Sequence, residues 1–502
     1  MARGKTTTSS QADDPALRTD LTYERAEQSL PAGVDEAGRW AELSGSAALG
    51  GVSGNEGLSM EPAVAADASG GRYVAWADNR NGNFEIYVAY HSGGIWQQLA
   101  GSAEQGGISD TQGASRRPGL ILDGSGLPVV AWTERDGASS DIRAARYNPA
   151  LNGGTGGWEA LGDSLGASGI SGTGAADRAV LGVVDGQPTV AWLDTSKRFD
   201  GAVWVELGTG SASGTGVTGA VAGVSDFAFA ADGATAAVAW SETNGTALQI
   251  HVRELSGGTW TTTTDPGGLG DLTLESASPT MAYHAGDLFV AWEQQTSSVT
   301  FDREIYAARY DHVAGTWSEA GTGAWSGGGV SMSPDAAVKP KGAVRQTALY
   351  AKVWDGTGFQ EEVPGDASGQ GIGETRSEAL DVSVSVDSSG HPYVAWSEAG
   401  QGTSEIFVRG NSFDVARVFQ AADATALQGL LDSEDLGTGD VVVVGPGTFA
   451  GDVIVGAGDA GVLVVGSPGL GTILTGSVTV QNAPGVILQG LRVEGGLAVT
   501  NS

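Results

Sequence analysis

The chain has no cysteine among its 502 residues, which removes disulfide frameworks, thiolate zinc sites, iron–sulfur clusters and cysteine nucleophiles together. Histidine occurs five times, never with the His-x-x-x-His spacing of a helical metal site. No run reaches the ~18 apolar residues of a membrane span, and positions 1–38 are polar, without the apolar stretch of a signal peptide. Basic residues are scarce, 26 against 59 acidic ones, for a formal net charge of −33. Such a surface repels phosphate backbones, which argues against nucleic-acid partners and anionic membranes. Charged residues make up only 17% of the chain and apolar ones 40%. That is too little charge for a disordered or coiled-coil chain, and enough apolar material for sizeable cores.

What is abundant is glycine, 81 residues, and a repeat. Val-Ala-Trp ends at Trp76, Trp132, Trp192, Trp240, Trp292 and Trp396. A second marker, an aromatic opening a short strand, falls at Trp40, Trp96, Trp158, Trp204, Trp260, Trp317 and Phe359. Twelve or thirteen residues after each stands Val52, Ile108, Ile170, Val217, Leu272, Val330 or Ile372. Self-similarity at about 53 residues marks a repeat architecture. The clearest unit reads as four short β-rich runs, Pro62–Asp67, Tyr73–Ala77, Glu85–Tyr90 and Ile95–Leu99, separated by turn compositions. In Val74-Ala75-Trp76-Ala77-Asp78 the bulky residues share one face and the alanines the other, so neighbouring sheets can stack closely. Four antiparallel strands repeated radially make a β-propeller blade.

The first marker, Arg39–Leu43, has no inner strands before it, and the last unit (Leu380–Val386, Tyr393–Ser397, Glu405–Arg409) has no Trp-led outer strand after it. The N-terminal strand is therefore expected to complete the last blade and remove the exposed sheet edges. The expected fold is all-β: a seven-bladed β-propeller over residues 38–413, following a disordered segment over 1–37. Two units look eroded. The third leaves no room for a full hairpin between Trp192 and Trp204, and the sixth (Pro334–Phe359) lacks Val-Ala-Trp.

After Ser412 the pattern changes to a short helix, Thr425–Leu431, and then to brief aliphatic runs: Asp440–Val444, Val453–Val455, Val462–Val465, Thr472–Leu474, Val478–Val480, Val486–Leu488 and Leu491–Val493. Residues 414–502 read as the beginning of a right-handed parallel β-helix that stops inside a rung. The chain is thus expected to be the front portion of a longer surface protein, since a solenoid needs several repeats and a cap.

Two family resemblances sit on these residues. The run from Val74 through Asn79-Arg80-Asn81-Gly82-Asn83 to Tyr87, the turn Ser92-Gly93-Gly94-Ile95-Trp96, and the hairpin Asp311–Trp317 resemble sialidase-like (BNR/Asp-box-like) bacterial propeller repeats. The capping helix, the run at Asp440–Val444 and the turn Gly445–Phe449 resemble the opening of the pectin-lyase-like β-helix family. The first resemblance implies the propeller fold. A sialidase would further need three arginines converging on a carboxylate and a tyrosine nucleophile, and Arg80, Arg135, Arg178, Arg303 and Arg376 form no clear triad in the sequence. Arg117-Pro118 is the nearest approach to that family's Arg-Ile-Pro element.

One constellation offers chemistry. Asp78, Glu134, Asp194, Glu242 and Glu398 stand two residues after the repeated tryptophan, with Glu293 one residue out of register. Such a carboxylate ring could bind Ca²⁺ or a cationic group; alternatively each acid pins its own turn by accepting backbone N–H bonds. A second acidic position, Glu85, Asp141, Glu304 and Glu405, precedes the third strand and is read as pinning turns, with arginines such as Arg80 or Arg303 in the same loop as pairing partners. The repeated tryptophans read as inter-blade core rather than sugar platforms. No catalytic residue is assigned, and calcium is the sole candidate cofactor. The expected role is a non-catalytic extracellular or cell-surface module, exported by a route the sequence does not reveal, presenting loops to a glycan or protein partner. The alternative is a glycoside hydrolase or polysaccharide lyase. Oligomeric state stays open.

Overall fold

A computed structural model describes residues 40–43, 46, 51–67, 71–92, 95–104, 106–192, 195–213, 216–219, 224, 226–243, 245–265, 267–296, 303–325, 330, 349, 351–354, 359–360, 372, 379–386, 392–399, 404–411, 417–433, 436–437, 440–445, 447–466, 472–489 and 491–500. The fold is an all-β propeller. Five blades are four-stranded antiparallel sheets built from consecutive strands. Blade 1 comprises Ser59–Ala66, Arg72–Asp78, Glu85–Ser92 and Ile95–Gln98. Blade 2 comprises Ala114–Leu122, Pro128–Asp136, Ser139–Asn148 and Gly157–Ala160. Blade 3 follows with Val180–Val184, Gln187–Trp192, Thr195–Phe199 and Trp204–Glu206. Blade 4 has Phe227–Asp232, Thr235–Thr243, Leu248–Ser256 and Thr259–Thr262. Blade 5 has Ser276–His284, Asp287–Gln295, Arg303–Asp311 and Thr316–Glu319.

The third unit is not eroded, contrary to expectation. Trp192 pairs directly with Thr195, so only two positions remain for the turn and a complete hairpin fits. The sixth unit lies largely outside the described residues; from it the structure shows the pair Val353–Trp354 and Phe359–Gln360. Residues 1–39 lie outside them as well. The closing sheet contains Ala379–Val386, Pro392–Ala399 and Ser404–Asn411, and Trp40–Glu42 is its outer strand. Trp40 pairs with Asn411 and Glu42 with Arg409, antiparallel.

The repeated tripeptide explains the stacking. Every residue of Arg72–Asp78 is buried, because the sheet of blade 1 is covered on both faces. Trp76 and Val74 pack on Ala395 of the closing sheet, while Ala75 and Ala77 on the opposite face receive Trp132 of blade 2. Trp192 meets Ala131, Trp240 meets Ala191, and Trp292 meets Ala237 and Ala239. Each indole fills the space its neighbour's alanines leave, which lets sheets close to interior packing density. All six repeated tryptophans are at most 3% exposed, so they are core.

Two further latches repeat. The outer-strand tryptophan donates its indole N–H to a carbonyl at the end of the preceding outer strand: Trp158 to Leu99 at 3.0 Å, Trp204 to Leu161 at 2.9 Å, Trp260 to Leu207 at 2.7 Å. Trp96 makes the same bond, at 2.6 Å, to Leu43 just after the N-terminal strand. The crossover loop is pinned to the third strand before it, as in Ile108 N–H to Ile86 O at 2.8 Å and Ile170 N–H to Ile142 O at 2.7 Å. In the fourth unit Leu269 makes this bond, to Ile250, whereas the expected Leu272 is half exposed. Glycine precedes the latch because a Cβ on Gly107 (φ +63°) would stand 2.1 Å from the Ile86 oxygen.

The C-terminal part has its own core and parallel pairing. Strand Arg417–Ala421 lies beside Asp440–Val444, then Leu463–Val465, then Ile487–Gln489. Two further parallel sheets follow the same order. Val453 pairs with Val478 and Val478 with Leu497, steps of 25 and 19 residues. Val453 and Val455 point into the core while Ile454 between them is exposed. Helix Ala424–Ser433 covers this core with Leu427 and Leu431.

Because Trp40–Glu42 pairs with the last sheet, Trp96→Phe and Trp158→Phe lose equivalent bonds. Each is expected to cost about 1 kcal/mol in urea unfolding. A Trp96→Phe cost near zero beside a normal Trp158→Phe cost would mean that the N-terminal strand is undocked in solution.

Candidate functional site

The acids two residues after the repeated tryptophan are committed to the framework. Each accepts the indole N–H of its own blade's tryptophan: Trp76 to Asp78 at 3.2 Å, Trp132 to Glu134 at 3.1 Å, Trp240 to Glu242 at 2.9 Å, Trp396 to Glu398 at 3.0 Å. Asp78 also accepts Ser59 Oγ (2.7 Å), Asn55 Nδ2 (2.8 Å), the Arg80 guanidinium (2.7 Å) and the Arg80 backbone N–H (2.8 Å). Burial pushes its pKa up, yet the bonds from Arg80 and Ser59 and the Arg80 charge hold it below the usual aspartate value. Glu293 does not belong to this set. Gln294 takes the position and accepts Trp292 at 3.4 Å, while Glu293 pairs with Arg303 at 3.7 Å near the surface. A bulge in the first strand does not displace the second, so the register of Trp292 alone decides which side chain reaches the indole. Asp194 lies outside the described residues.

In the second acidic set Glu85, Asp141 and Glu405 pin crossover loops, as expected, while the arginines named as their partners bond elsewhere. Glu85 accepts Ser109 Oγ, Asn83 Nδ2 and Thr111 N–H; Asp141 accepts Ser171 Oγ at 2.8 Å; Glu405 accepts Ser53 Oγ at 2.5 Å. Arg80 goes to Asp78 and Arg303 to Glu293. Among the described residues no three of His, Asp and Glu gather in a way that could hold a metal ion, and no helix is long and apolar enough to cross a membrane.

Accessible charge converges elsewhere. The first strands of neighbouring blades run against one another, which makes them the innermost strands of the propeller. Near its start each of four first strands is bulged, with a left-handed residue at the break: Glu61, Arg117, Ser278 and Asp381, with φ of +52° to +55°. In blade 3 Arg178 (φ +58°) precedes the strand. Acids and arginines there bridge the blades. Asp381 accepts the Glu61 N–H at 3.2 Å. Glu61 accepts the Arg117 N–H at 2.7 Å and two bonds from the Arg116 guanidinium at 2.8 and 2.9 Å. Arg117 pairs with Asp177. Arg178 reaches Asp226 at 2.9 Å, and Asp226 accepts the Ser278 N–H at 3.3 Å.

Burial raises Asp177 and Asp226, but bonds from Arg117 to the first, and from Ser278 and Arg178 to the second, hold both below the ordinary aspartate value. Arg117 and Arg178 keep 41% and 48% of their side chains exposed. This inner-strand chain of ion pairs is partly accessible, and its guanidinium and carboxylate groups can hydrogen-bond a hydroxyl-rich or charged ligand. Sequence reading missed it. Its trace is there in Glu61-Pro62, Arg117-Pro118 and Ser278-Pro279, an X-Pro step at matching positions of three repeats.

No family model matches the chain, and no curated protein matches it. Among solved structures the fold is similar to propellers of glycoside hydrolases. An ancestral GH74 enzyme is 12% identical with a TM-score of 0.41, over 72% of this chain and 48% of its own. The α-L-arabinanase of Penicillium chrysogenum complexed with arabinobiose is 10% identical with a TM-score of 0.37, over 76% and 98%. A GH43B protein of a Bacteroides ovatus xyloglucan locus is 13% identical with a TM-score of 0.31, over 52% and 54%. The chain thus spans about half of the first and third of these.

Two outcomes are expected. Glu134→Gln should stay within about 1 kcal/mol of the parent in urea unfolding, because Gln294 already does this work in blade 5. Glu134→Ala strands the Trp132 indole and should cost about 2–3 kcal/mol. The second concerns acid. Asp226 has a folded pKa below its unfolded value of about 3.9, so its contribution is present above that value and is lost as pH falls through the folded one. The stability difference between the parent and Arg178→Gln should therefore be visible near neutral pH and vanish towards pH 2, as read by melting temperature against pH.

Proposed function

We propose that the chain is a non-catalytic extracellular or cell-surface module of a larger bacterial protein, a propeller whose axial face binds a glycan or protein partner. The observation that carries this reading is the commitment of the repeated acids. Asp78, Glu134, Glu242 and Glu398 each hold their own tryptophan, and Glu85, Asp141 and Glu405 each hold a crossover serine. Acids spent on framework bonds are poor proton shuttles. What stays accessible is the mixed guanidinium and carboxylate surface at Arg117, Arg178, Asp177 and Asp226, suited to hydrogen-bonding polar ligands.

Seven blades complete this picture. Thr280, Ala282 and His284 on the first strand of blade 5 are exposed on one face. Val382, Val384 and Val386 on the first strand of the closing sheet are 54–62% exposed. Both faces suit a further sheet between them. Leu349 and Ile372 already pack on Val394, Trp396 and Phe407 of the closing sheet, and Ile372 N–H bonds Leu349 O at 2.7 Å as the other latches do. The coiling parallel sheets after residue 416 are, in this reading, the first rungs of a parallel β-helix that serves as a stalk.

The runner-up is a glycoside hydrolase of the sialidase-like kind or a polysaccharide lyase. Its support is the convergence of Arg117 and Arg178 with Asp177 and Asp226 near the axis. A glycan array run beside reducing-sugar and unsaturated-product assays on a polysaccharide panel separates the two. Binding without turnover, lost at least tenfold in Arg117→Ala/Arg178→Ala, is expected; release of product from any polysaccharide overturns the non-catalytic reading.

A further inference from the structure

The boundary of blades 1 and 2 brings together two of the buried acids, one from the third strand of blade 1 and one from the second strand of blade 2. Both approach a single serine on the first strand between them. At the boundary of blades 1 and 2 the acids are Glu85 and Glu134, 2% and 5% exposed. Ser115 Oγ lies 3.3 Å from Glu85 Oε2 and 2.6 Å from Glu134 Oε2. A hydroxyl has one proton and two lone pairs. Donating it to Glu134 turns a lone pair toward Glu85, and two anions facing one hydroxyl leave one contact repulsive.

The surroundings supply no compensating charge. Glu85 otherwise receives Ser109 Oγ, Asn83 Nδ2 at 2.6 Å and Thr111 N–H at 3.1 Å. Glu134 receives Thr111 Oγ1 at 2.6 Å and the Trp132 indole at 3.1 Å. All are neutral. Asp78 stands directly opposite Glu85 in the sheet of blade 1, and Asp141 opposite Glu134 in blade 2; like charges in such positions repel. Asp110 on the crossover loop adds another acid. Of the nearby cations, Arg80 is engaged with Asp78 and lies over the Tyr87 ring at 4.1 Å, Arg116 is engaged with Glu61, and Arg135 is exposed.

The boundary of blades 4 and 5 carries the informative comparison. Gln249 and Gln294 occupy the two places there. Ser276 Oγ bonds Gln294 Oε1 at 3.1 Å, and the Gln249 amide donates to the carbonyls of Asp271 and Leu274 at 3.1 and 3.0 Å. The fold thus accepts an uncharged pair at this junction, and an amide has the shape of a protonated carboxyl group.

We propose that the junction of blades 1 and 2 is a proton-dependent clasp: Glu85 carries a proton on Oε2 and donates it to Ser115 Oγ, which donates its own to Glu134. Loss of that proton to water as pH rises leaves two carboxylates on one hydroxyl and loosens the contact between the blades. Burial pushes Glu85 up from the ordinary glutamate value despite the bonds from Ser109, Asn83 and Thr111, and the Glu134 charge adds to the rise. A folded value above the unfolded one gives stability that is complete below the unfolded pKa and lost as pH rises through the folded pKa.

The test compares the full chain with Glu85→Gln and with Glu104→Gln, which removes an exposed charge. Glu85→Gln should melt about 2–4 °C above the parent near pH 7.5 and together with it near pH 5. Glu104→Gln should shift melting equally at both. An infrared band of a buried carboxylic acid should be present in the parent near pH 5, fade by pH 7.5, and be missing from Glu85→Gln. An equal loss of stability in Glu85→Gln at both pH values overturns the clasp. So does a parent chain without the acid band at pH 5, which decides the matter even if the variant does not fold. Calcium raising the melting temperature of the parent but not of Glu85→Gln would overturn it too, because a cation would then be neutralising the pair.

Discussion

The contact on which the ring depends is an indole set against alanines. In blades 1 to 5 a tryptophan at the centre of the second strand faces the sheet before it, and in blades 1 to 4 the alanine preceding it faces the tryptophan of the next blade. Alternation along a strand sends successive side chains to opposite faces, so one tripeptide makes both the knob and the hole. No blade can bury its own tryptophan without a neighbour, which is why the unit is stable only as part of an array. The array in turn needs its ends joined, and the strand Trp40–Glu42 supplies the missing fourth strand of the closing sheet.

Burying so many sheets face to face also buries the polar ends of the strands, and those must be paired. The solution repeats with the blade. An acid two residues beyond the tryptophan takes the indole N–H, an acid opposite it takes the crossover serine, and that serine's neighbour latches its backbone to the third strand. The result is a belt of buried carboxylates near one end of the strands, with Arg80 engaged at Asp78 and glutamines substituting at the fourth boundary. These acids are thereby buried between the blades, where salt screens charge less than at the surface.

Much of this was legible in the residues. The Val-Ala-Trp spacing, the alternation of large and small side chains and the unpaired first marker together point to a closed propeller with an N-terminal strand in its last sheet. The aliphatic runs after residue 412 point to a different, coiling arrangement. Single-residue register was less legible. Leu272 fits the sequence spacing, yet Leu269 makes the latch, because loop lengths vary between repeats while the hydrogen-bond positions do not. Glu293 is an acid one residue out of register, whereas Gln294, at the two-residue spacing, accepts the indole. The third blade looked too short because a hairpin with two turn positions leaves almost no linker to read.

The sequence by itself determined the repeat, the strand faces and which aromatic residues enter the core, since these follow from local alternation and from volume. Tertiary structure decided which polar groups meet. Arg117 with Asp177, Arg178 with Asp226, and Glu85 with Glu134 through Ser115 are partners from different blades. Their meeting depends on how the sheets fan around the axis and where each first strand bulges, and no local pattern encodes that geometry.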